Sequence, residues 1–289
     1  MALVASNGFA GGYGISRSSL SAAVLAGTGQ AMERDYDFGS KVYRADLPAA
    51  AEIGRNAGER AVRRLNPRKV KTQKVPVVYD PRVSRGLLSH LSGAISGPSI
   101  ARGTSFLKDR LDQPVFAPGV TVIDDPFIRR GLRSRPFDGE GIATRRHTVI
   151  DGGRLTTWLM DLRSSRQLGL ATTGHASRGT SAPPTPSPAN LHMVAGSKTP
   201  KELIGEITQG FYITEMLGMG VNGITGDYSR GATGFWIENG ELAYPVSELT
   251  VAGNLKDMFL ALEPASDLEF RYGMDAPTVR IDGMTIAGL

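Results

Sequence analysis

The sequence predicts an α+β protein, mostly antiparallel β in barrel- or sandwich-like sheets and hairpins, with a few packed helices. Three observations predict it. Glycine supplies 36 of 289 residues, roughly 12 per cent against a usual share of about 7, which favours turns and strands. The dipeptides Asp151-Gly152 and Asn239-Gly240 each stand between apolar runs, the pattern of a tight hairpin. Helical periodicity is confined to a few short segments.

Leu20, Ala22, Val24 and Ala26 alternate onto one strand face, and Met32, Arg34 and Tyr36 resume after a Gly27–Gly29 turn. From Asp46 the period changes. Ile53, Ala57, Ala61 and Leu65 repeat every fourth residue until Asn66-Pro67, so the spacing predicts a helix over 48–65. Val75 to Tyr79 reads as a strand. Asp80-Pro81 supplies an N-cap and first-turn proline for a second helix, whose apolar face is Val83, Leu87, Leu91 and Ala94. Beyond Gly97 the pattern becomes β-rich. Strands are expected at Val120–Ile123 and in a hairpin of Arg146–Ile150 with Leu155–Met160. A second hairpin pairs Thr233–Glu238 with Glu241–Val246, and Leu268–Tyr272 and Thr278–Ile286 close the chain. Two helices are expected in this half, near 200–208 and 254–262. The reading divides the chain into an α/β region over 1–115 with two helices and a β-rich domain over 116–289.

Composition narrows the function classes. Forty per cent hydrophobic and 21% charged residues suit an ordinary globular protein, and no apolar run approaches the length that spans a bilayer. The first residues lack the basic and apolar regions of a signal peptide, so a cytoplasmic protein is expected. The net charge of +5 concentrates in a run from Arg55 to Lys74 that contains no aromatic residue. Nucleic-acid grooves interleave aromatics with cations, so the run reads as a solvated helix face and linker. Cysteine is absent and histidine occurs four times, at positions 90, 147, 175 and 192. No two of these lie within one helical turn or two, which excludes an H-E-x-x-H site.

The densest feature is Gly218 to Asn254, where glycines recur around an acid, a Ser-Arg pair and Phe235-Trp236. Gly226 to Thr233 has the glycine spacing of a phosphate loop, but Ala232 stands where the lysine belongs. Ser229 lacks the glycine two residues before it that a nucleophile elbow requires. Thr173 to Asn190 is rich in proline and small polar residues. It reads either as a flexible surface loop or as one that contacts a substrate or partner.

The runs Asp227-Tyr228-Ser229-Arg230-Gly231-Ala232 and Gly234-Phe235-Trp236-Ile237-Glu238-Asn239-Gly240 resemble the TldD/PmbA family, in its PmbA (TldE) branch. Matching runs span nearly the whole chain, including Ser6-Asn7-Gly8-Phe9, Arg102-Gly103-Thr104-Ser105-Phe106-Leu107 and Phe137-Asp138-Gly139-Glu140-Gly141. The family is linked to zinc-dependent proteolysis. Its zinc-bearing TldD branch carries H-E-x-x-x-H behind a Leu-Leu pair, with a cysteine as third ligand. The matching stretch here is Leu87-Leu88-Ser89-His90-Leu91-Ser92-Gly93-Ala94. Ser89 and Ala94 fall at the two ligand positions, and His90 falls where the glutamate would be.

The resemblance therefore implies no catalytic residue and no metal or other cofactor held by this chain, with zinc expected in a TldD-type partner subunit. It implies a complex acting on unfolded peptides or peptide precursors, and a leading α/β domain that this chain does not include. Isolated, the chain is expected to form a homodimer. His175 and Arg178, at the start of the proline-rich loop, join Asp227, Ser229 and Arg230 as candidates for binding substrate or partner. A stand-alone hydrolase using Asp227, Ser229 or His175, and a peptide-binding β module, are the competing readings.

Overall fold

The computed structural model describes residues 1–288. Strands β1 (Ala2–Val4) and β2 (Ala10–Gly12) form a small antiparallel pair. Strands β3 (Ser18–Ala26) and β4 (Glu33–Lys41) form the expected hairpin, in unbroken register from Ser18↔Lys41 to Ala26↔Glu33. Helix α1 (Ala50–Arg63) lies across it, burying Ile53, Ala57 and Ala61 from the predicted every-fourth-residue stripe.

The centre of the molecule is a closed five-stranded barrel. Strand β5 (Gln73–Tyr79) leads into α2 (Pro81–Ala94) and the short α3 (Gly97–Ala101). A second sheet follows from β6 (Val122–Asp124), β7 (His147–Asp151) and β8 (Arg154–Leu155). Then come α4 (Leu162–Leu168), the two-residue strands β9 (Ala176–Ser177) and β10 (Thr185–Pro186), and β11 (Leu191–Met193). Helix α5 (Pro200–Gly205) precedes the long strands β12 (Gln209–Leu217), β13 (Asp227–Glu238) and β14 (Glu241–Asn254). The chain ends through α6 (Leu255–Leu260), β15 (Leu262–Pro264), β16 (Met274–Asp275) and β17 (Val279–Ala287). The ring runs β5-β12-β13-β14-β17, and β17 pairs back onto β5. Every ring pairing is antiparallel except β5 with β12. Closure removes the ring's free edges. The second sheet has order β16-β11-β6-β7-β8.

Alternation along the barrel strands sets the core. Val77 and Tyr79 join the main core with Phe211, Tyr228, Trp236, Val251 and Ile281. Val78 points the other way and packs with Ile207 and Ile237 beneath the α5 segment. Each fully buried side chain of this size contributes roughly 1.5–3 kcal/mol.

Three expectations are corrected. The partner strand Leu155–Met160 stops at Leu155, because the backbone of Leu159 bridges instead to the segment after α2: its amide donates to Ile95 O at 3.0 Å and its carbonyl accepts from the Gly97 amide. Leu268–Tyr272 is irregular, because the amides of Arg271, Tyr272 and Gly273 all turn onto the Asp275 carboxylate. The half beyond Gly97 holds α3 and α4 besides the two expected helices. Helix α4 carries a full capping box between Asp161 and Ser164 and ends at Gly169 with φ of 65°.

The basic run is not a solvated face throughout. Arg60 Nη1 lies 3.0 Å from Asp37 Oδ1. Arg64 reaches Glu215 Oε2 at 2.6 Å, Thr233 Oγ1 at 3.0 Å, Glu33 Oε2 at 3.5 Å and Asp35 Oδ2 at 3.6 Å. Arg82 of α2 meets the other Asp35 oxygen at 2.8 Å. These contacts tie the β3–β4 hairpin and α1 to the barrel.

Two stability predictions follow from this architecture. Asn239 and Gly240 have φ of 50° and 80°, the positive pair a two-residue hairpin needs. A Cβ at 240 would stand 2.9 Å from the Gly205 backbone. Gly240→Val is expected to lower stability by about 1–3 kcal/mol, and an unchanged urea midpoint would contradict the turn. Arg64→Met removes the cation shared by Glu33, Asp35 and Glu215, leaving Arg82 on Asp35 and Arg34 on Glu215, and is expected to cost about 3 kcal/mol. A loss below about 1 kcal/mol in the same measurement would show the network to be dispensable.

Candidate functional site

Helix α2 is held at both ends. At its start, Asp80 Oδ1 accepts from the Arg82 amide at 2.9 Å and Oδ2 accepts from the Tyr212 hydroxyl at 3.0 Å. Further on, the buried Ser84 hydroxyl donates to Pro277 O at 2.7 Å, and Leu87, Leu88 and Leu91 fill the core. At its end, the Ser105 hydroxyl donates to Ala94 O at 2.6 Å. The C-terminal half of this fixed helix opens on a cleft of about 380 Å³, whose wall includes His90, Ala94, Phe106, Met219, Val221 and Arg230.

The opposite wall is the glycine-rich connection between β12 and β13. There the chain folds back so closely that a Cβ on Gly220 would lie 1.8 Å from Ser229 O. Glycine is obligatory at that crossing. Asp227 pins the turn: it accepts from Thr225 Oγ1 at 2.6 Å and from Asn254 Nδ2 at 3.0 Å. Those hydrogen bonds, Thr225 first, hold its carboxyl below the usual range. Strand alternation then separates the candidates. Asp227 and Ser229 are exposed on one face, while Tyr228 and Arg230 face the other. Tyr228 meets His90 edge-on at 5.9 Å between ring centroids, and Arg230 Nε donates to Gly218 O at 3.0 Å. The cleft thus gathers His90 and Arg230 and leaves Ser229 outside.

The residues at the three motif positions do not fit zinc. Ser89 is exposed, Ala94 carries no donor atom, and His90 Nε2 is buried without a hydrogen-bond partner. Among the described residues, no three His, Cys, Asp or Glu side chains come close enough together to hold a metal ion. Burial, and after it the charge of Arg230, push the His90 pKa below its ordinary value. The field that opposes a second proton on this imidazole also opposes a dication beside it.

His147 and His175 stand side by side next to the second sheet, whereas His192 of β11 packs edge-on against Phe270. His175 is 2% exposed, with Nε2 3.1 Å from Asp124 Oδ2 and Nδ1 2.8 Å from Thr173 Oγ1. One tautomer satisfies both contacts, with Nε2–H donating to Asp124. The chain Asp124–His175–Thr173 has the order of a hydrolytic triad, but Thr173 is 5% exposed and its hydroxyl accepts from the Met160 amide at 2.7 Å. It offers no open nucleophile. Asp138 accepts from the Ala176 amide at 3.0 Å, so the proline-rich segment leaves a pinned base, and Arg178 lies beyond it on the surface. Residues 51 apart make the Asp124–His175 contact, and no local spacing announces it.

The His147 ring lies 4.9 Å from that of His175, tilted by 45°, and its Nε2 lies 3.0 Å from Thr173 O. Burial first, then the charges of His175 and Arg145, bring its pKa down to about 4. In the unfolded chain the same imidazole titrates near its ordinary value of about 6.5. Between those values the unfolded state binds more protons, so stability falls as pH drops from about 6.5 towards 4. A proton NMR titration is expected to place the His147 midpoint near 4, and His147→Gln to flatten the acid side of the stability profile. A midpoint at about 6 or above would contradict the burial argument.

Comparison with known proteins matches this geometry to a family. Residues 72–288 match the PmbA/TldA metallopeptidase C-terminal domain and residues 1–65 its central domain. The chain is 40% identical over 284 residues to a protein of Escherichia coli O157:H7 named Metalloprotease PmbA, covering 98% of this chain and 61% of that one. A crystal structure from Bacteroides thetaiotaomicron, described as a modulator of DNA gyrase, superposes with a TM-score of 0.88 at 34% identity, covering 98% of this chain and 63% of its own. TldE from Thermococcus kodakarensis shares the fold with a TM-score of 0.84 at 23% identity, covering 94% of this chain and 63% of its own. The chain therefore spans somewhat under two thirds of the relatives it matches, and on two matched domains it belongs to the PmbA/TldA metallopeptidase family.

Proposed function

We propose that this chain belongs to a PmbA/TldE-type subunit of a TldD/TldE-like zinc protease complex, one that shapes a peptide-binding chamber and leaves zinc chemistry to its partner. A single observation carries the reading. The helix that bears the zinc motif in TldD-type relatives is held rigidly here, yet presents a serine, one imidazole and an alanine, beside the guanidinium of Arg230. A hydrolytic zinc needs three protein ligands and an open position for water. A cation against an apolar wall has a different use: it takes the carboxylate or carbonyl groups of a peptide. The alternative of independent hydrolysis finds little support in the placement of its candidates. Ser229 and Asp227 lie on the strand face away from His90, and His175 is buried, with Nε2 on Asp124.

In this reading the substrates are unfolded peptides or peptide precursors, and the partner is a TldD-type subunit holding the zinc. Alone, the chain pairs with a second copy. Reconstitution tests the proposal. Metal analysis by mass spectrometry is expected to find no stoichiometric zinc on the isolated chain, and peptidase assays to detect cleavage only after a TldD-type subunit is added. One tightly held zinc per chain, or undiminished activity without the partner, would overturn it.

A further inference from the structure

The loop from Arg129 to Arg135 carries four arginines in seven residues and lines a cleft of about 620 Å³. The loop is tightly built. Gly131 N donates to Ile128 O at 2.9 Å and Arg135 N to Pro126 O at 3.1 Å. Ser134 Oγ donates to Ile128 O at 2.7 Å, and Asn190 Oδ1 accepts from the Arg133 amide at 3.0 Å. Arg17 joins from the other side, donating to Leu132 O at 3.3 Å.

Among the described residues, only Arg130 of these five arginines has a carboxylate partner, Asp46 at 2.8 Å. Arg135 gives one nitrogen to Ser187 O at 2.8 Å, and its Nε is buried with no partner at all. Neither Asp124 nor Asp275 forms an ion pair with these arginines, and each is engaged elsewhere, although Asp124 Oδ1 has no hydrogen-bond partner among the described residues. Asp124 serves His175 and the Ala189 amide, and Asp275 serves three backbone amides. Desolvation, then the charges of Arg17 and Arg135, pull the Arg133 pKa below its ordinary value, and Asp124 and Asp275 offset this only in part. Like charges gathered in a concave wall raise the local concentration of anions and bind them.

The rest of the lining identifies the kind of anion. Ile15 is 66% exposed and Tyr43 53% exposed beside the arginines, and Ser177, Ser187 and Pro188 bring the proline-rich segment to the rim. A bare phosphate has no use for apolar walls, whereas a peptide with acidic and apolar side chains engages both. We propose that this cleft is a docking site for an acidic peptide segment, whose carboxylates pair with Arg129, Arg133 and Arg135 while its apolar side chains cover Ile15 and Tyr43. The site is separate from the His90 cleft, and the proposal stands without the subunit reading.

Fluorescence anisotropy on the chain tests it, with a labelled peptide of alternating Glu and Leu, its Gln-Leu counterpart, and tripolyphosphate as competitor. The Glu-Leu peptide is expected to bind at least about tenfold more tightly than the Gln-Leu peptide, and to weaken as salt is added. Arg129→Gln with Arg133→Gln is expected to lose about tenfold in affinity, while Arg55→Gln with Lys71→Gln, an equal loss of charge elsewhere, changes little. Arg129→Glu, at an exposed position, gives the same reading should the double variant fold poorly. Equal binding of the two peptides, unchanged binding in the Arg129 variants, or tripolyphosphate binding as tightly as the Glu-Leu peptide would each overturn the proposal.

Discussion

The Asp35 carboxylate joins the parts of this molecule. It is 3% exposed and lies between two guanidiniums, Arg64 at the end of α1 and Arg82 in the first turn of α2. Arg82 then shares Asp80, the cap of its own helix, and Asp80 holds the Tyr212 hydroxyl of β12. One network therefore sets where the hairpin unit sits, where α2 begins and how the barrel presents β12. Burial alone would lower the Arg82 pKa, but Asp80 and Asp35 overrule it and raise it. Such networks add little net stability over an apolar core, because desolvation offsets most of the attraction. What they supply is position, since each oxygen accepts only from particular directions.

Position matters because the His90 cleft is made from elements that do not touch in sequence. Its near wall is the far end of α2, and its far wall is the β12–β13 connection, brought there by closure of the barrel. The register of β13 decides which side chains enter. Tyr228 and Arg230 face inward, and a shift of one residue would send Asp227 and Ser229 in their place. The close crossing at Gly220 and the Asp227 hydrogen bonds hold that register. Small residues and polar turns thus choose the chemistry of the wall.

Much of the fold was legible in the sequence wherever one local rule acted alone. The fourfold stripe of α1, the Asp80-Pro81 cap of α2 and the Asn239-Gly240 turn all appear where their residues place them. Misreadings arose where another group competed for the backbone. Asp275 takes the amides that would have made Leu268–Tyr272 a strand, and Ile95 takes the Leu159 amide that would have extended the hairpin. Helix α4 had its signal, Asp161 three residues before Ser164 and Gly169 after the last turn, but seven residues are too few for periodicity to show. Of the candidate site residues, Arg230 reaches a cleft because strand alternation is local. The Asp124–His175 pair depends on sheet order, which no spacing reveals.

Charge was the least legible property, and the reason is general. A sequence counts cations where they occur, whereas function depends on where they are left uncompensated. The run from Arg55 to Lys74 holds much of the excess by count, yet Arg60 and Arg64 are neutralised by carboxylates of β4 and β12, and Arg63 and Arg68 lie over the rings of Phe235 and Tyr244. The loop from Arg129 to Arg135 is shorter and less conspicuous, but of its four arginines only Arg130 has a carboxylate in ion-pair contact among the described residues, and Asp124 and Asp275 hydrogen-bond to histidine and backbone amides. Its positive charge is consequently the part that faces solvent in a concave wall. The same logic applies at His90, where burial, and after it the charge of the Arg230 guanidinium, push the imidazole pKa below its ordinary value.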